Sequence, residues 1–208
     1  MKPPALDVLT SGADVILGRP LSEAETDKFV KYLNLLSKWN RSQRLVGSAD
    51  PQWIIKRLFL DSLLFLRVLP PEARQVLDLG SGAGLPGIPL KIVRDDACVT
   101  LLEARRKRAS FLSTVVRELG LRDIRVVNAR LDEVAEDLAG QFDAVVMRCA
   151  GKFGDLAAPA AKLLGPGGLI VASGPPSTGP LALGEWVNVR IDEYGAPRRF
   201  AVYRLPSP

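Results

Sequence analysis

The sequence predicts an α/β protein in which a doubly wound, mostly parallel sheet follows a helical N-terminal extension. From residue 75 onward, short apolar runs alternate with helical segments, which is typical of repeated strand–helix units with right-handed crossovers. A glycine-rich turn comes directly after the first of these runs, and two β-like runs end the chain as a predicted antiparallel hairpin. A sheet of this kind binds ligands beyond the carboxyl ends of its strands, so the turn marks the expected site.

The first 74 residues are predicted to be mostly helical. Ser22 and Glu25 form a capping-box pattern, and apolar residues at helical spacing predict a helix over Glu23–Asn40. Asp50 followed by Pro51 predicts the start of a second helix, which we expect to continue toward Leu69. We therefore expect residues 1–74 to form a helical extension packed on the core and residues 75–208 to form the ligand-binding domain.

Five strands and four helices are predicted to alternate after this extension. A "GPGG" turn over Gly165–Gly168 and a Gly/Pro/Ser-rich loop are expected to flank the last of these strands. The predicted strands are Gln75–Leu79, Val99–Glu103, Ile124–Asn128, Phe142–Met147 and Leu169–Ala172, and the predicted helices are Pro86–Val93, Lys107–Leu119, Asp132–Leu138 and Asp155–Leu164.

Composition excludes several classes of function. No apolar run approaches the ~18 residues of a membrane span, and the start of the chain lacks the apolar core of a secretory signal. Cys98 and Cys149 are far apart, which predicts neither a disulfide framework nor a zinc site. Histidine is absent, which removes Ser-His and Cys-His catalysis and the usual metal sites. We expect a cytoplasmic, monomeric protein without a membrane partner or a metal.

Positive charge is concentrated in residues 104–130. This segment has eight basic and two acidic side chains, a net charge of +6 in a chain whose total is +5. Such a segment attracts polyanions, although a solvated helix face has the same composition. Four of the basic residues are consecutive and follow the second predicted strand: Arg105, Arg106, Lys107 and Arg108.

The segment "VLDLGSGAGLPGIPLKI", Val76–Ile92, matches two ligand-binding patterns. From Gly82, "GAGLPG" fits the G-x-G-x-x-G dinucleotide pattern, which by itself indicates NAD. From Asp78, "DLGSGAG" places an acidic residue at the strand end, followed by Gly80, Gly82 and Gly84, as in the nucleotide turn of S-adenosylmethionine (SAM) methyltransferases. Glycine at these positions allows a tight turn and a close approach of the ligand to the backbone.

One carboxylate favours the second pattern, and another is compatible with both. Asp78 would suit the cationic amino group that SAM has and NAD lacks. Glu103 ends the next strand, about twenty residues further on, where a carboxylate accepts ribose hydroxyls of either ligand. We predict SAM, with NAD or a purely structural glycine turn as the alternatives.

Several segments together resemble one family, the bacterial 16S rRNA guanine-N7 methyltransferases (RsmG, glucose-inhibited division protein B). The glycine segment resembles the family's SAM turn and includes a Pro-Gly-x-Pro that general methyltransferases lack. The other similar segments are "KWNRSQRLV", "IIKRLFLDSLLFL", "LLEARRKRASFL" and "FDAVVMRCAG". The resemblance covers about Leu33–Ala172 and implies a Rossmann-like SAM-dependent methyltransferase fold.

The resemblance also implies roles for individual residues. Leu85, Glu103 and the pair Leu131 and Asp132 match cofactor positions, together with the three glycines and Asp78. Arg148, after the fourth strand, matches an Arg at the mouth of the site and is expected to border the cofactor and position the acceptor. Arg105, Arg106, Lys107 and Arg108 are the expected RNA contacts. The chain departs from the family at Arg44, Val46, Leu58, Ser173 and the final hairpin.

The reaction implied is methyl transfer from SAM to N7 of a guanine in 16S rRNA, by resemblance guanine-527, which leaves S-adenosylhomocysteine. N7 carries a free lone pair, so no general base is expected, which suits a protein without His. The chain lacks the Pro-Pro-Tyr/Phe tetrad of amine methylation, and Cys149 is expected to be a small buried residue rather than a nucleophile. The alternatives are methylation of a small molecule or protein, and a non-catalytic RNA-binding protein.

Some residues have a structural alternative. Arg148 could instead pair with Asp143 or Asp155. The aromatic side chains Trp39, Trp53 and Phe59 could stack on RNA bases, but their helical spacing favours packing in the core. Asp61 and Ser62 interrupt an apolar helix, and the sequence assigns them neither to solvent nor to the cofactor pocket.

Overall fold

A seven-stranded mixed sheet forms the centre of the protein. The computed structural model describes residues 4–148, 153–173, 180–190 and 197–206. The sheet order is β3-β2-β1-β4-β5-β7-β6; the first five strands are parallel, and β7 is antiparallel to both β5 and β6. The strands are β1 Gln75–Leu79, β2 Cys98–Leu102, β3 Ile124–Val127, β4 Phe142–Arg148, β5 Leu164–Ser173, β6 Glu185–Val189 and β7 Arg198–Arg204. The predicted fold class is confirmed.

Helices cover both faces of this sheet. Between the strands lie α5 Gly87–Val93, α6 Arg106–Glu118, α7 Leu131–Val134 and α8 Phe153–Ala161. The N-terminal region comprises α1 Pro4–Leu17, α2 Glu23–Gln43, α3 Pro51–Ile54, a π-helical turn Ile55–Leu60, α4 Asp61–Leu63 and a 3₁₀ helix Leu64–Arg67.

The start of α2 agrees with its sequence signal. The Ser22 hydroxyl accepts a hydrogen bond from the Glu25 amide at 3.1 Å, and the Glu25 carboxylate accepts one from the Ser22 amide at 2.7 Å. The predicted capping box is therefore present, and it satisfies two amides that lack partners within the helix. The helix ends later than predicted, where Arg44 adopts a left-handed conformation with φ 48°.

The second predicted helix is broken into short pieces, so its expected continuity is wrong. Its middle is the π-helical turn, and the carbonyls of Arg57 and Leu58 in that turn accept hydrogen bonds from the distant Arg148 side chain. The Ser62 hydroxyl also donates to the Leu58 carbonyl, at 2.6 Å. Bonds from side chains to helix carbonyls compete with the regular backbone pattern, which gives a physical reason for the local change of helix type.

The predicted "GPGG" turn is instead a bulge within β5. Phe142 pairs with Leu164 and Ala144 with Leu169, so residues 165–168 all lie opposite Asp143. Extra residues in one strand of a pair are accommodated by a bulge, which glycine favours. The next loop was predicted from Gly, Pro and Ser residues, and its residues 174–179 lie outside the described part of the chain.

The N-terminal helices pack on one face of the sheet. A large apolar cluster includes Phe29, Tyr32 and Phe59 together with Phe111 of α6. In the same cluster, the Phe65 ring packs edge-on against Phe200 of β7, with ring centroids 4.9 Å apart. A smaller cluster, around Leu77, Val145 and Ile170, fills the other face. The helical region therefore shares its core with the sheet, and a domain boundary between residues 74 and 75 stays a prediction.

None of the helices in the described ranges is long and apolar enough to cross a membrane.

Candidate active site

The candidate residues converge at the carboxyl ends of the parallel strands. Leu79 of β1 pairs with Leu102 of β2, so the glycine turn and Glu103 leave the sheet side by side. On the other side of β1, Asp78 pairs with Val146 of β4, and Arg148 ends that strand opposite Ser173 of β5. These carboxyl ends of the strands are where a doubly wound sheet binds ligands.

The glycine turn has the backbone conformation that its sequence predicts. Gly80, Gly82 and Gly84 have φ values of 72°, 57° and 88°, which favour glycine over any other residue. A Cβ at Gly84 would lie 2.3 Å from Cδ1 of Ile88. A Cβ at Gly82 would instead make only ordinary van der Waals contacts, with Arg108 Nη1 at 3.6 Å and the Gly80 carbonyl at 3.7 Å as its nearest neighbours. Gly82 is partly exposed and therefore offers bare backbone that a ligand can approach.

Glu103 holds the backbone of the glycine turn at Gly82. One carboxylate oxygen accepts a hydrogen bond from the Gly82 amide at 2.8 Å, and the other accepts one from the Arg105 amide at 2.8 Å. The Asn128 amide group donates to the Glu103 carbonyl at 2.8 Å and holds the end of β2. Each carboxylate oxygen has two lone pairs, so both can still accept a ribose hydroxyl.

Asp78 is completely buried beneath the turn. Its Oδ2 accepts a hydrogen bond from the Gly87 amide at 2.9 Å, and a Cβ at Gly87 would lie 2.7 Å from the same oxygen. Its Oδ1 has no partner within the described part of the chain. Burial raises the pKa of Asp78 to about 7, while the Gly87 hydrogen bond lowers it. The unpartnered oxygen fits a cationic ligand group, and its direct contact with the cofactor stays a prediction.

Tyr32 is a site residue that the sequence did not reveal. Its hydroxyl donates to the carbonyl of Ala83, inside the glycine turn, at 2.5 Å, and its ring stacks on Phe59 with centroids 4.9 Å apart. The pKa of Tyr32 lies well above its usual value because the side chain is buried and near Asp78. In the sequence Tyr32 belongs to an apolar helical stripe, so no signal distinguished its hydroxyl from an ordinary core position.

The remaining predicted cofactor residues line the periphery of the turn and α7. Leu85 is buried in the large apolar cluster, and Leu131 begins α7 and packs against the smaller one. Asp132 is exposed and pairs with Arg130 at 3.1 Å. Contacts of these three side chains with a cofactor stay predictions.

Arg148 is held by the N-terminal region. Its guanidinium donates to the carbonyls of Arg57 and Leu58 and forms an ion pair with Asp61 at 3.5 Å. The sequence left Asp143 as an alternative partner of Arg148. Asp143 accepts hydrogen bonds from the amides of Arg74 and Gln75, both at 2.8 Å.

Asp61 joins Arg148 to the last strand of the sheet. Arg198 of β7 binds both Asp61 carboxylate oxygens, at 2.9 and 2.8 Å. Burial raises the pKa of Asp61, and the charges of Arg198 and Arg148 oppose that shift. The open assignment of Asp61 is therefore resolved in favour of a half-buried ion-pair network. A lone acid inside an apolar helix was its only signal, and Arg198 had none.

The four consecutive basic residues surround the start of α6. Arg105, Arg106 and Lys107 are exposed, and Arg108 is half-buried with Nη1 beside Gly82. None of the four forms an ion pair with a carboxylate in the described ranges. They therefore place positive charge next to the glycine turn.

The three aromatic side chains differ from one another. Phe59 is buried, and Trp39 packs on Phe111 with ring centroids 5.5 Å apart, as expected for core residues. Trp53 is 38% exposed, so its expected core position is wrong. Cys149 lies outside the described residues. No cluster of three or more potential metal ligands occurs within the described ranges.

A sequence model of one family, described as "rRNA small subunit methyltransferase G" (GidB), matches residues 25–174. The chain belongs to this family. The match spans the glycine turn, Glu103, the four basic residues and Arg148, and it ends before Arg198. The family resemblance stated from the sequence is therefore confirmed.

Individual relatives agree with this membership. A "Ribosomal RNA small subunit methyltransferase G" of Alkalilimnicola ehrlichii is 39% identical over 170 residues, 81% of this chain and 74% of the relative. One from Clostridium botulinum is 32% identical over 159 residues, 75% of this chain and 66% of the relative. The aligned part thus spans somewhat less than two thirds of the latter protein.

Solved structures support the fold. A SAM-dependent methyltransferase from Aquifex aeolicus superimposes with a TM-score of 0.54 at 16% identity, over 74% of this chain and 93% of the other. At this level of identity the similarity concerns the fold alone, which is the Rossmann-like methyltransferase fold expected for the rRNA small subunit methyltransferase G family.

Proposed function

We propose that this protein transfers a methyl group from SAM to N7 of a guanine in 16S rRNA, by resemblance guanine-527. The observation that carries the proposal is membership in the rRNA small subunit methyltransferase G family over residues 25–174. We further propose that the protein acts in the cytoplasm, because its rRNA substrate is there. We also propose that it acts as a monomer.

SAM is the cofactor that the family and the fold support, and the site has features that fit it. When bound, SAM supplies an electrophilic methyl group on a sulfonium. Gly82 offers bare backbone to a ligand, and Glu103 holds its two carboxylate oxygens beside the turn. The unpartnered Oδ1 of Asp78 suits the amino group of SAM better than any part of NAD, because NAD has no primary amine of this kind.

Guanine N7 fits the protein's limited set of acid–base groups. Its lone pair is free at neutral pH, so the acceptor loses no proton before attack. The chain has no His, and the carboxylates of Glu103 and Asp78 are bound to backbone amides. Alignment of the two reactants is then the main source of catalysis, and it can contribute several kcal/mol.

Arg148 is the proposed positioning residue for the acceptor. It lies at the carboxyl end of β4, at the same edge of the sheet as the glycine turn. Its guanidinium is held by two carbonyls and Asp61. An arginine presents planar hydrogen-bond donors and a permanent charge to a base edge or a phosphate. It cannot act as a base at neutral pH, in keeping with an acceptor that needs none.

RNA, rather than a small molecule or a protein, is supported by the charge around the site. Arg105, Arg106 and Lys107 are exposed after the strand beside the glycine turn, where phosphates of a bound RNA would be attracted. The complete glycine turn and Glu103 contacts disfavour a non-catalytic RNA-binding protein, because such a protein would not need them.

Mass mapping of modified guanines tests this function directly. Small-subunit rRNA would be compared between cells with and without the gene, and between cells complemented with the wild type or with Glu103→Ala. We expect one N7-methylguanine to depend on the gene and to return only with the wild type. An unchanged modification map in cells without the gene would overturn the proposal.

A further inference from the structure

Trp53 is an exposed aromatic side chain on a segment that is otherwise well packed. With Val30, exposed by 36%, it is one of two large apolar side chains that are strongly exposed within the described ranges. Its neighbours Ile54 and Ile55 are buried, so α3 turns one face to the core and presents Trp53 to solvent. A single exposed apolar residue needs no explanation by itself, and its surroundings decide what it can do.

Two cations lie beside Trp53. Lys56 and Arg57 are exposed, as Trp53 is, and lie three and four positions further along the chain, at the start of the π-helical turn. Neither forms an ion pair with a described carboxylate within 4.0 Å. We name these three side chains the Trp53 face. It combines an aromatic surface with two exposed cations, of which Arg57 also opposes, by its charge, the rise that burial causes in the pKa of Asp61.

The Trp53 face is located at the edge of the sheet that carries the candidate active site. The carbonyls of Arg57 and Leu58 accept hydrogen bonds from Arg148, the last residue of β4. Trp53 is four residues before Arg57, in α3, which leads directly into the π-helical turn. Arg57, a member of the Trp53 face, therefore lies directly beside Arg148.

We propose that the Trp53 face binds single-stranded RNA next to the acceptor guanine, with one base stacked on Trp53 and phosphates near Lys56 and Arg57. The inference rests on the proposed function, whose substrate class it narrows. Single-stranded nucleotides offer unstacked bases to aromatic side chains, whereas an A-form duplex keeps its bases stacked. Charge complementarity selects a polyanion, and the aromatic ring selects an unpaired one.

Binding of a short labelled oligoadenylate tests this inference without methyl transfer, because the oligonucleotide has no guanine. Fluorescence anisotropy would compare the wild type with Trp53→Ala, Trp53→Phe and the matched control Val30→Ala. Loss of one base–aromatic stack predicts affinity weaker by roughly 5- to 150-fold for Trp53→Ala. Trp53→Phe should retain most of the affinity and Val30→Ala all of it. An A-form duplex of equal length should bind Trp53→Ala and the wild type alike.

The two cations have their own measurement. Changing Lys56 and Arg57 together to Gln should reduce the salt dependence of oligoadenylate binding by about 1.4 in log–log slope, if each contacts one phosphate of a single strand. SAM affinity measured on the same variant should not change. A slope equal to that of the wild type would overturn the phosphate contacts.

The outcomes separate this inference from the proposed function. Wild-type oligoadenylate affinity in Trp53→Ala, in an enzyme that still methylates rRNA, would overturn the inference alone. Loss of oligoadenylate binding in Trp53→Ala, where the wild type itself methylates no rRNA, would support RNA binding at the Trp53 face but overturn both the function and the position beside an acceptor guanine. A loss seen only with ribosomal subunits, and not with naked RNA, would assign the Trp53 face to a protein partner and overturn the stacking proposal.

Discussion

The two sides of the candidate site are built in different ways. On the proposed cofactor side, the contacts of the two carboxylates are close in sequence: Gly87 to Asp78 spans 9 residues and Gly82 to Glu103 spans 21, whereas Tyr32 reaches Ala83 across 51. On the proposed acceptor side, Arg148 reaches Leu58 across 90 residues, and Arg198 reaches Asp61 across 137. The carboxylate contacts of the cofactor side are therefore encoded by a local motif, whereas the acceptor side exists only once the whole chain has folded.

The two sides also stabilise their carboxylates differently. The carboxylates of Asp78 and Glu103 accept hydrogen bonds from backbone amides, so each fixes the shape of the glycine turn. Asp61 is bound by two arginines, which come from β4 and β7. Substitutions on the cofactor side should therefore act mainly on SAM binding, and those on the acceptor side mainly on turnover.

The largest effect should come from the acceptor side. Arg148→Ala removes the proposed contact with the acceptor, and misplacement of a reactant by about 1 Å can cost on the order of 100-fold in rate. We expect kcat to fall by about that factor while the Kd of SAM changes little, as measured by single-turnover kinetics and calorimetry. Arg148→Lys keeps the charge but loses the planar fork, and should be intermediate. If Arg148→Ala lost as much SAM affinity as kcat, the proposed division between a cofactor side and an acceptor side would be contradicted.

The cofactor side should show the opposite pattern. Glu103→Ala removes charge-assisted hydrogen bonds worth roughly 1.5–3 kcal/mol, which corresponds to SAM affinity about ten- to a hundredfold weaker. Glu103→Gln keeps one acceptor oxygen and should lose less. Calorimetry with SAM and separately with NADH gives both answers. SAM affinity equal to the wild type in Glu103→Ala, or tight NADH binding, would contradict the assignment of this side.

Asp78 gives the cofactor side a dependence of stability on pH. Burial raises its folded pKa to about 7, above an unfolded value of about 3.9, so the folded state binds the additional proton. The resulting stabilisation is complete below about pH 4 and is lost as the pH rises through 7, by up to ~1.4 kcal/mol per pH unit. Urea unfolding should therefore show Asp78→Asn gaining stability relative to the wild type between pH 5 and pH 8. An equal difference at both pH values would show that Asp78 does not titrate in this way.

The smallest effect concerns the rim of the cofactor side. Changing Arg106 and Lys107 to Gln should flatten the salt dependence of RNA binding by about one unit or slightly more, because two phosphate contacts are removed. SAM affinity should stay constant. If the slope were the same as in the wild type, these side chains would be an ordinary solvated helix surface.

The same contrast explains what the sequence could predict. The capping box of Ser22 and Glu25 and the tight glycine turn around Gly82 depend on residues a few positions away, so both were predicted correctly. The π-helical turn, the bulge at residues 165–168 and the Asp61–Arg198 pair depend on partners that are distant in sequence. Trp53 shows a further limit, because apolar spacing at the start of a short helix does not reveal which face the fold leaves open.

Methylation of an RNA that carries 7-deazaguanine tests the central claim most directly. This base lacks the N7 nucleophile but keeps the Watson–Crick edge of guanine. We predict methyl transfer to the guanine substrate, none to the 7-deaza substrate at equal RNA affinity, and a kcat without an ascending limb between pH 6 and 8 because no general base is used. Cys149→Ser should retain most activity, since no covalent adduct forms. Transfer that persists at the 7-deaza position would contradict N7 as the acceptor.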